Sequence, residues 1–137
     1  MPARQPVKSV LVVEDEESTR DALTLLLERE DYCVRVAANG REALQRLRGE
    51  RPDVILLDLT MPVMDGREFR RRQKRDPALA SIPVVIVSAA AEVGQEAVAL
   101  GAASYLDKPV DPKRLLVTVR RVCGQGGEGP SPGRPGG

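Results

Sequence analysis

The 137-residue sequence contains no histidine. That absence removes a histidine-based catalytic triad and any metal site built on imidazole. Cysteine is scarce too. Cys33 and Cys123 both sit in apolar segments without C-x-x-C spacing, so buried reduced thiols are expected rather than a disulfide or a metal site. No apolar run approaches the ~20 residues that cross a bilayer. The opening residues MPARQPVK lack the apolar core of a signal peptide, and a cytoplasmic protein without membrane association is the expectation. Nor is there an excess of one charge. The 21 Lys and Arg against 20 Asp and Glu leave a net charge of +1, which argues against nucleic-acid binding by the chain as a whole. What remains, 42% hydrophobic and 30% charged, is the composition of an ordinary globular domain long enough for one core.

Short apolar runs alternate with segments of helical period. The runs SVLVV (9–13), CVRVAA (33–38), VILLD (54–58), PVVIVSA (83–89) and SYLDK (104–108) read as five strands. Strands separated by helices imply an α/β domain with a parallel sheet. Ser18 followed by Asp21 reads as a capping box for a first helix with the stripe Ala22, Leu23, Leu26 and Leu27. Ala43, Leu44 and Leu47 mark a second helix after Asn39-Gly40. Asp111-Pro112 opens the last, whose stripe is Leu115, Leu116, Val119 and Val122. The stretch AAAEVGQEAVALG after the fourth strand is a weak helix, rich in small residues and interrupted by Gly94. The expected boundaries are a flexible N-terminus over 1–7, a folded domain over 8–123, and a disordered Gly/Pro-rich tail or linker start over 124–137.

Functional groups of an open parallel sheet collect at the carboxyl ends of its strands. Glu14 and Asp15 follow the first strand, Asp58 ends the third, Ser88 the fourth and Lys108 the fifth. In the order 2-1-3-4-5 the second strand, which offers nothing, lies at an edge. Each residue alone has a plain structural role as a turn, a cap or a surface amine. Together they put three acids, a hydroxyl and an amine at one end of one sheet. Two carboxylates ~4 Å apart repel by about 4 kcal/mol at an effective dielectric near 20, so a cation or a proton is required. All-oxygen ligation with positions left for water or phosphate suits Mg²⁺. Beside such a metal an aspartate can attack phosphorus.

The segments VLVVEDE, VILLDLTMPVMDG, VVIVSA and ASYLDKP, in this order and spacing, resemble the receiver domain of two-component response regulators, with a single-domain, chemotaxis-regulator-like layout. The resemblance spans about residues 8–123. It implies a flavodoxin-like (βα)5 fold with strand order 2-1-3-4-5, and a phosphorylation-activated switch rather than a turnover enzyme. Asp58 matches the phosphoacceptor, Asp15 the principal acidic Mg²⁺ ligand and Glu14 its companion, one methylene longer than the Asp frequent there. Thr60 matches the residue that offers a backbone carbonyl to the metal. Ser88 matches the hydroxyl that moves to the phosphoryl group, Tyr105 the switch aromatic and Lys108 the amine that pairs with phosphoryl oxygens. The Lys108–Pro109 bond matches one that is cis. Without histidine, the donor must be the phosphohistidine of a partner, a histidine kinase or a phosphotransfer protein. A downstream protein would read the face formed by the fourth helix, fifth strand and fifth helix.

Three rival readings stay in view. An Asp-nucleophile phosphohydrolase would need a second aspartate where Thr60 stands. A flavodoxin-like cofactor binder would need a phosphate loop where the chain has EDEE, whose acids repel phosphate. A receiver cut from a hybrid kinase or larger effector shares the first reading's chemistry. The basic run REFRRRQKR (67–75) is expected to be a solvated face or a contact for an acidic partner, not a nucleic-acid reader, because Phe69 is its only aromatic. Asp65 is expected to cap that helix rather than touch metal.

Overall fold

The computed structural model describes residues 7–91 and 93–128. Five strands, β1 (Ser9–Val13), β2 (Cys33–Ala37), β3 (Val54–Asp58), β4 (Val84–Ser88) and β5 (Ser104–Asp107), alternate with five helices: α1 (Glu17–Glu28), α2 (Gly40–Gly49), α3 (Gly66–Arg75), α4 (Val93–Ala99) and α5 (Pro112–Glu128). The sheet is wholly parallel with order β2-β1-β3-β4-β5. The alternating runs predict the parallel α/β sheet, and the arrangement is the flavodoxin-like (βα)5 fold with the strand order that the resemblance implies.

The uninterrupted apolar runs follow from burial on both faces, since neighbouring side chains in a strand point to opposite sides. Val10, Val12, Val54, Leu56, Val85 and Val87 face α1 and α5, meeting Leu23, Leu27, Leu115, Val119 and Val122. Leu11, Val13, Ile55, Leu57 and Ile86 face α2, α3 and α4, meeting Ala43, Leu47, Phe69, Val93 and Ala97. Register brings the carboxyl ends level. Val13 pairs with Leu57, Asp58 with Val87, and Ser88 with Asp107, so Glu14, Asp58, Ser88 and Lys108 follow at one end.

Four details differ from the sequence reading. Ser18 does not cap α1, because the helix begins at Glu17; Glu16 is the N-cap, its carbonyl accepting from Arg20 N at 2.9 Å. Ala22 is exposed, so the buried stripe of α1 narrows to Leu23 and Leu27, with Leu26 packed beside them. Cys33 is exposed on edge strand β2, whereas Cys123 is buried; both are free thiols. Finally, α5 continues to Glu128, past Cys123, where the sequence reading ended the folded chain. A helix nucleated by buried Leu115, Val119 and Val122 propagates cheaply through successive backbone bonds. The rest of that tail, and residues 1–6, lie outside the described residues. No helix among the described residues is long and apolar enough to cross a membrane.

The loop from β3 to α3 is shaped by two close approaches. A Cβ on Gly66 would lie 2.3 Å from the Asp58 carbonyl oxygen, while Gly66 N donates to Leu59 O at 3.0 Å. Only glycine permits this seat for α3 against the end of β3. Asp65 caps the helix, accepting from Glu68 N at 3.0 Å. Before it, Val63 has φ 68°, with Met64 N donating to Pro62 O at 2.7 Å, a strained γ-turn around an exposed β-branched residue. Val63→Gly relieves that strain and loses no buried contact. Its thermal midpoint should rise, by about 1 kcal/mol of stability after the unfolded-state entropy of glycine is subtracted; a lower midpoint would contradict this.

Candidate phosphoryl-transfer site

Glu14, Asp15, Asp58, Thr60, Ser88 and Lys108 line one cleft at the carboxyl end of the sheet, together with Glu16, Ala89 and Ala90. All the residues inferred from strand ends therefore meet. Tyr105 does not join them. It is 41% exposed and lies over α4, where a Cβ on Gly94 would stand 3.3 Å from its hydroxyl oxygen.

One carboxylate oxygen each from Glu14, Asp15 and Asp58 lie within 4.8 Å of one another. Glu14 and Asp58 are 2% and 5% exposed, whereas Asp15 is open to solvent. Lys108 Nζ is 2.9 Å from Glu14 Oε1 and 3.6 Å from Asp58 Oδ2. Glu14 Oε2 accepts from Glu16 N at 3.2 Å. Glu14 Oε1, buried, has no hydrogen bond beyond its ion pair with Lys108. Thr60 N donates to Asp58 Oδ1 at 3.3 Å, and Ser88 Oγ accepts from Ala90 N at 3.1 Å. The Lys108–Pro109 bond is cis.

Three acids against one ammonium leave the cluster negative. Burial, then the neighbouring Glu14 carboxylate, pushes Asp58 up to about 6, against the opposing pull of Lys108 and the Thr60 amide. Burial lowers the Lys108 pKa, but its contacts with Glu14 and Asp58 outweigh it and hold the ammonium above its usual value. A hard divalent cation fits this donor set: three carboxylates converge, and the buried Glu14 Oε1 has the Lys108 ammonium as its one partner among the described residues. A cation there would occupy the space between Glu14, Asp15 and Asp58.

One neighbour escaped the sequence reading. Arg20, on the second turn of α1, donates through Nη1 to the Glu14 carbonyl at 3.0 Å, pinning the loop that carries the acids. Its spacing of six residues from Glu14 across a helix start gives no periodic signal. At Thr60, the place where a phosphohydrolase would carry its second aspartate, a hydroxyl side chain stands exposed.

The raised Asp58 pKa sets a pH dependence. The folded state holds this proton more tightly than the unfolded chain. Its stabilisation is therefore complete below about pH 4 and lost as pH rises through about 6. In metal-free buffer, Asp58→Asn should melt higher than the wild type at pH 7, by on the order of 2–3 kcal/mol, and the gap should close towards pH 4. Mg²⁺ should raise the wild type much more than Asp58→Asn. Equal metal-free midpoints at pH 7 would show that burial and the neighbouring Glu14 do not penalise the Asp58 carboxylate.

Comparison with known proteins agrees with this arrangement. The sequence matches the response regulator receiver domain family over residues 10–120. It is 35% identical over 115 residues to protein PilH of Pseudomonas aeruginosa, covering 82% of this chain and 95% of that one. It is 36% identical over 132 residues to SphR of Synechococcus elongatus, the alkaline phosphatase synthesis transcriptional regulatory protein, covering 88% of this chain and 51% of SphR. The chain spans about half the length of several such curated regulators. Among solved structures, the chemotaxis response regulator CheY4 of Vibrio cholerae superposes with TM-score 0.79 at 37% identity, covering 85% of this chain and 99% of CheY4. A parallel five-stranded sheet in this order, an acidic cleft at its carboxyl end and a family match over most of the chain lead to one conclusion: the chain is a response regulator receiver domain of two-component signalling.

Proposed function

We propose that Asp58 is the phosphoacceptor of a cytoplasmic, Mg²⁺-dependent switch, charged by the phosphohistidine of a histidine kinase or phosphotransfer protein. The observation that carries this is the position of Asp58, buried beside two further acids and 3.6 Å from Lys108 Nζ in an open cleft. An Asp58 oxygen attacks phosphorus, the phosphorus–nitrogen bond of the donor breaks, and its electron pair leaves with the imidazole. Glu14, Asp15, Asp58 and the Thr60 backbone carbonyl would hold Mg²⁺, which supplies positive charge for the phosphoryl oxygens. Lys108 adds a fixed cation, already drawn to the site by Glu14 and Asp58. Ser88 would leave Ala90 N and turn its hydroxyl to the phosphoryl group.

The output follows from what Ser88 and Tyr105 touch. Ala90 O accepts from Val93 N at 3.2 Å, so the loop that Ser88 holds is bonded to the first residue of α4. The ring of Tyr105 would rotate inward as that loop shifts. The face that then changes contains exposed Val98 on α4, Tyr105 on β5 and Val117 on α5. Lys113, Arg114 and Arg121 border a groove there of about 270 Å³. That surface suits a downstream protein partner.

Acetyl phosphate with Mg²⁺ should add one phosphoryl group to the wild type by intact mass and none to Asp58→Asn; equal labelling of the two would refute the assignment. Ser88→Ala and Tyr105→Ala should still label. Each should lose most of the phosphorylation-dependent change in amide exchange across residues 93–123, and a wild-type response in both would refute the coupling.

A further inference from the structure

The basic run of α3 is not simply a solvated face. Arg70 and Gln73 are buried, and Arg67 is half-buried. The two arginines point their polar ends at α4 and the turn that ends it, and Gln73 braces Arg70 against the segment before β4. Arg67 Nη2 donates to both Glu96 carboxylate oxygens, at 2.7 and 2.9 Å. One turn later Arg70 donates to the Leu100 carbonyl through Nε at 2.9 Å and to the Gly101 carbonyl through Nη2 at 2.8 Å. Its third bond, from Nη1, goes to Gln73 Oε1 at 2.7 Å. Gln73 Nε2 in turn donates to Leu79 O and Ile82 O at 2.9 and 3.0 Å. No carboxylate pairs with Arg70 among the described residues, and burial lowers its pKa.

Leu100 and Gly101 close α4. Ala102 N donates to Ala97 O at 2.9 Å, Gly101 N to Val98 O at 3.0 Å, and Gly101 has φ 67°, the pattern of a Schellman stop. Arg70 thus brings a positive charge to the negative end of the α4 dipole and satisfies carbonyls that the helix cannot. The rest of α4 has little to hold it. It spans seven residues, and its buried side chains are Val93 and the small Ala97.

We propose that Arg67 and Arg70 are positioning residues that set the resting place of α4, with Arg70 a fixed pivot at its C-terminal end and Arg67–Glu96 a releasable latch nearer its N-terminal end. The division follows from burial. Breaking three bonds of a buried guanidinium strands charged donors and carbonyls without water. The Arg67–Glu96 side chains are 37% and 29% exposed, so water replaces what that pair loses and its contribution is modest. The end of α4 away from the pivot is the one bonded through Ala90 to Ser88. A phosphoryl group that draws Ser88 away therefore works against the latch. This inference rests on the reading of Asp58, Ser88 and α4 as the switch.

Linkage supplies the test, because a pair that favours the resting state weakens binding of any ligand that favours the shifted state. The probe is trifluoroberyllate with Mg²⁺, a tetrahedral mimic of a phosphorylated aspartate, titrated by calorimetry. Glu96→Gln and Arg67→Gln should each bind it about two- to fivefold more tightly than the wild type. The exchanged pair Arg67→Glu with Glu96→Arg should return the affinity towards wild type. Arg70→Met should lower the melting temperature more than either latch variant. Unchanged affinity in both latch variants would overturn the latch even if their stability falls, and an Arg70→Met melt no lower than theirs would overturn the pivot. If trifluoroberyllate fails to bind the wild type, the Asp58 reading itself is wrong and this inference falls with it.

Discussion

Three carboxylates share the end of one sheet with a single lysine ammonium, and two of the acids are almost wholly buried. No part of the chain would place Glu14, Asp15 and Asp58 together for stability alone, since their repulsion is several kcal/mol at these separations. The scaffold imposes the arrangement. β1 and β3 are central strands whose apolar residues pack on both faces, and their register fixes where Glu14 and Asp58 emerge. Gly66 brings α3 up against the Asp58 carbonyl. Arg20 ties down the Glu14 carbonyl. A rigid, mostly apolar frame thus holds a cluster whose charge only a cation or a proton can balance, which is the condition a metal-dependent phosphoryl acceptor requires.

The same frame decides where a new charge is felt. Ser88 accepts from Ala90 N, Ala90 accepts from Val93 N, and Val93 begins the short helix α4. Tyr105 lies over Gly94 on that helix, outside the cleft. Ser88 therefore has a bonded route, through Ala90, to the first residue of a seven-residue helix whose buried side chains are only Val93 and Ala97, and thinly packed segments of this kind are the first to move in a fold. The α3 arginines hold the far side of the same helix.

Much of this was legible because burial on both faces writes strands as unbroken apolar runs. Glu14, Asp58 and Ser88 end or follow such runs directly, at β1, β3 and β4, while Lys108 follows the shorter, half-exposed β5. What stayed hidden lacked a period. Ser18-x-x-Asp21 has the spacing of a capping box, yet the chain enters α1 two residues earlier because Glu16 already offers the first helical carbonyl. Cys33 looked buried within an apolar run, but β2 is an edge strand that alternates exposed and partly covered positions. The arginines of α3 look alike in sequence. Which of them turn inward depends on where Leu100 and Gly101 arrive, about thirty residues on, and only the tertiary structure states that.

The site is electrostatically loaded before any ligand arrives, and a carbon-13 NMR titration of the Asp58 side-chain carboxyl in metal-free protein reads that load at the residue that bears it. The midpoint should lie near 6 and move well down when Mg²⁺ is added. A metal-free midpoint at the ordinary aspartate value of about 4, indifferent to Mg²⁺, would mean that the cleft carries no such load.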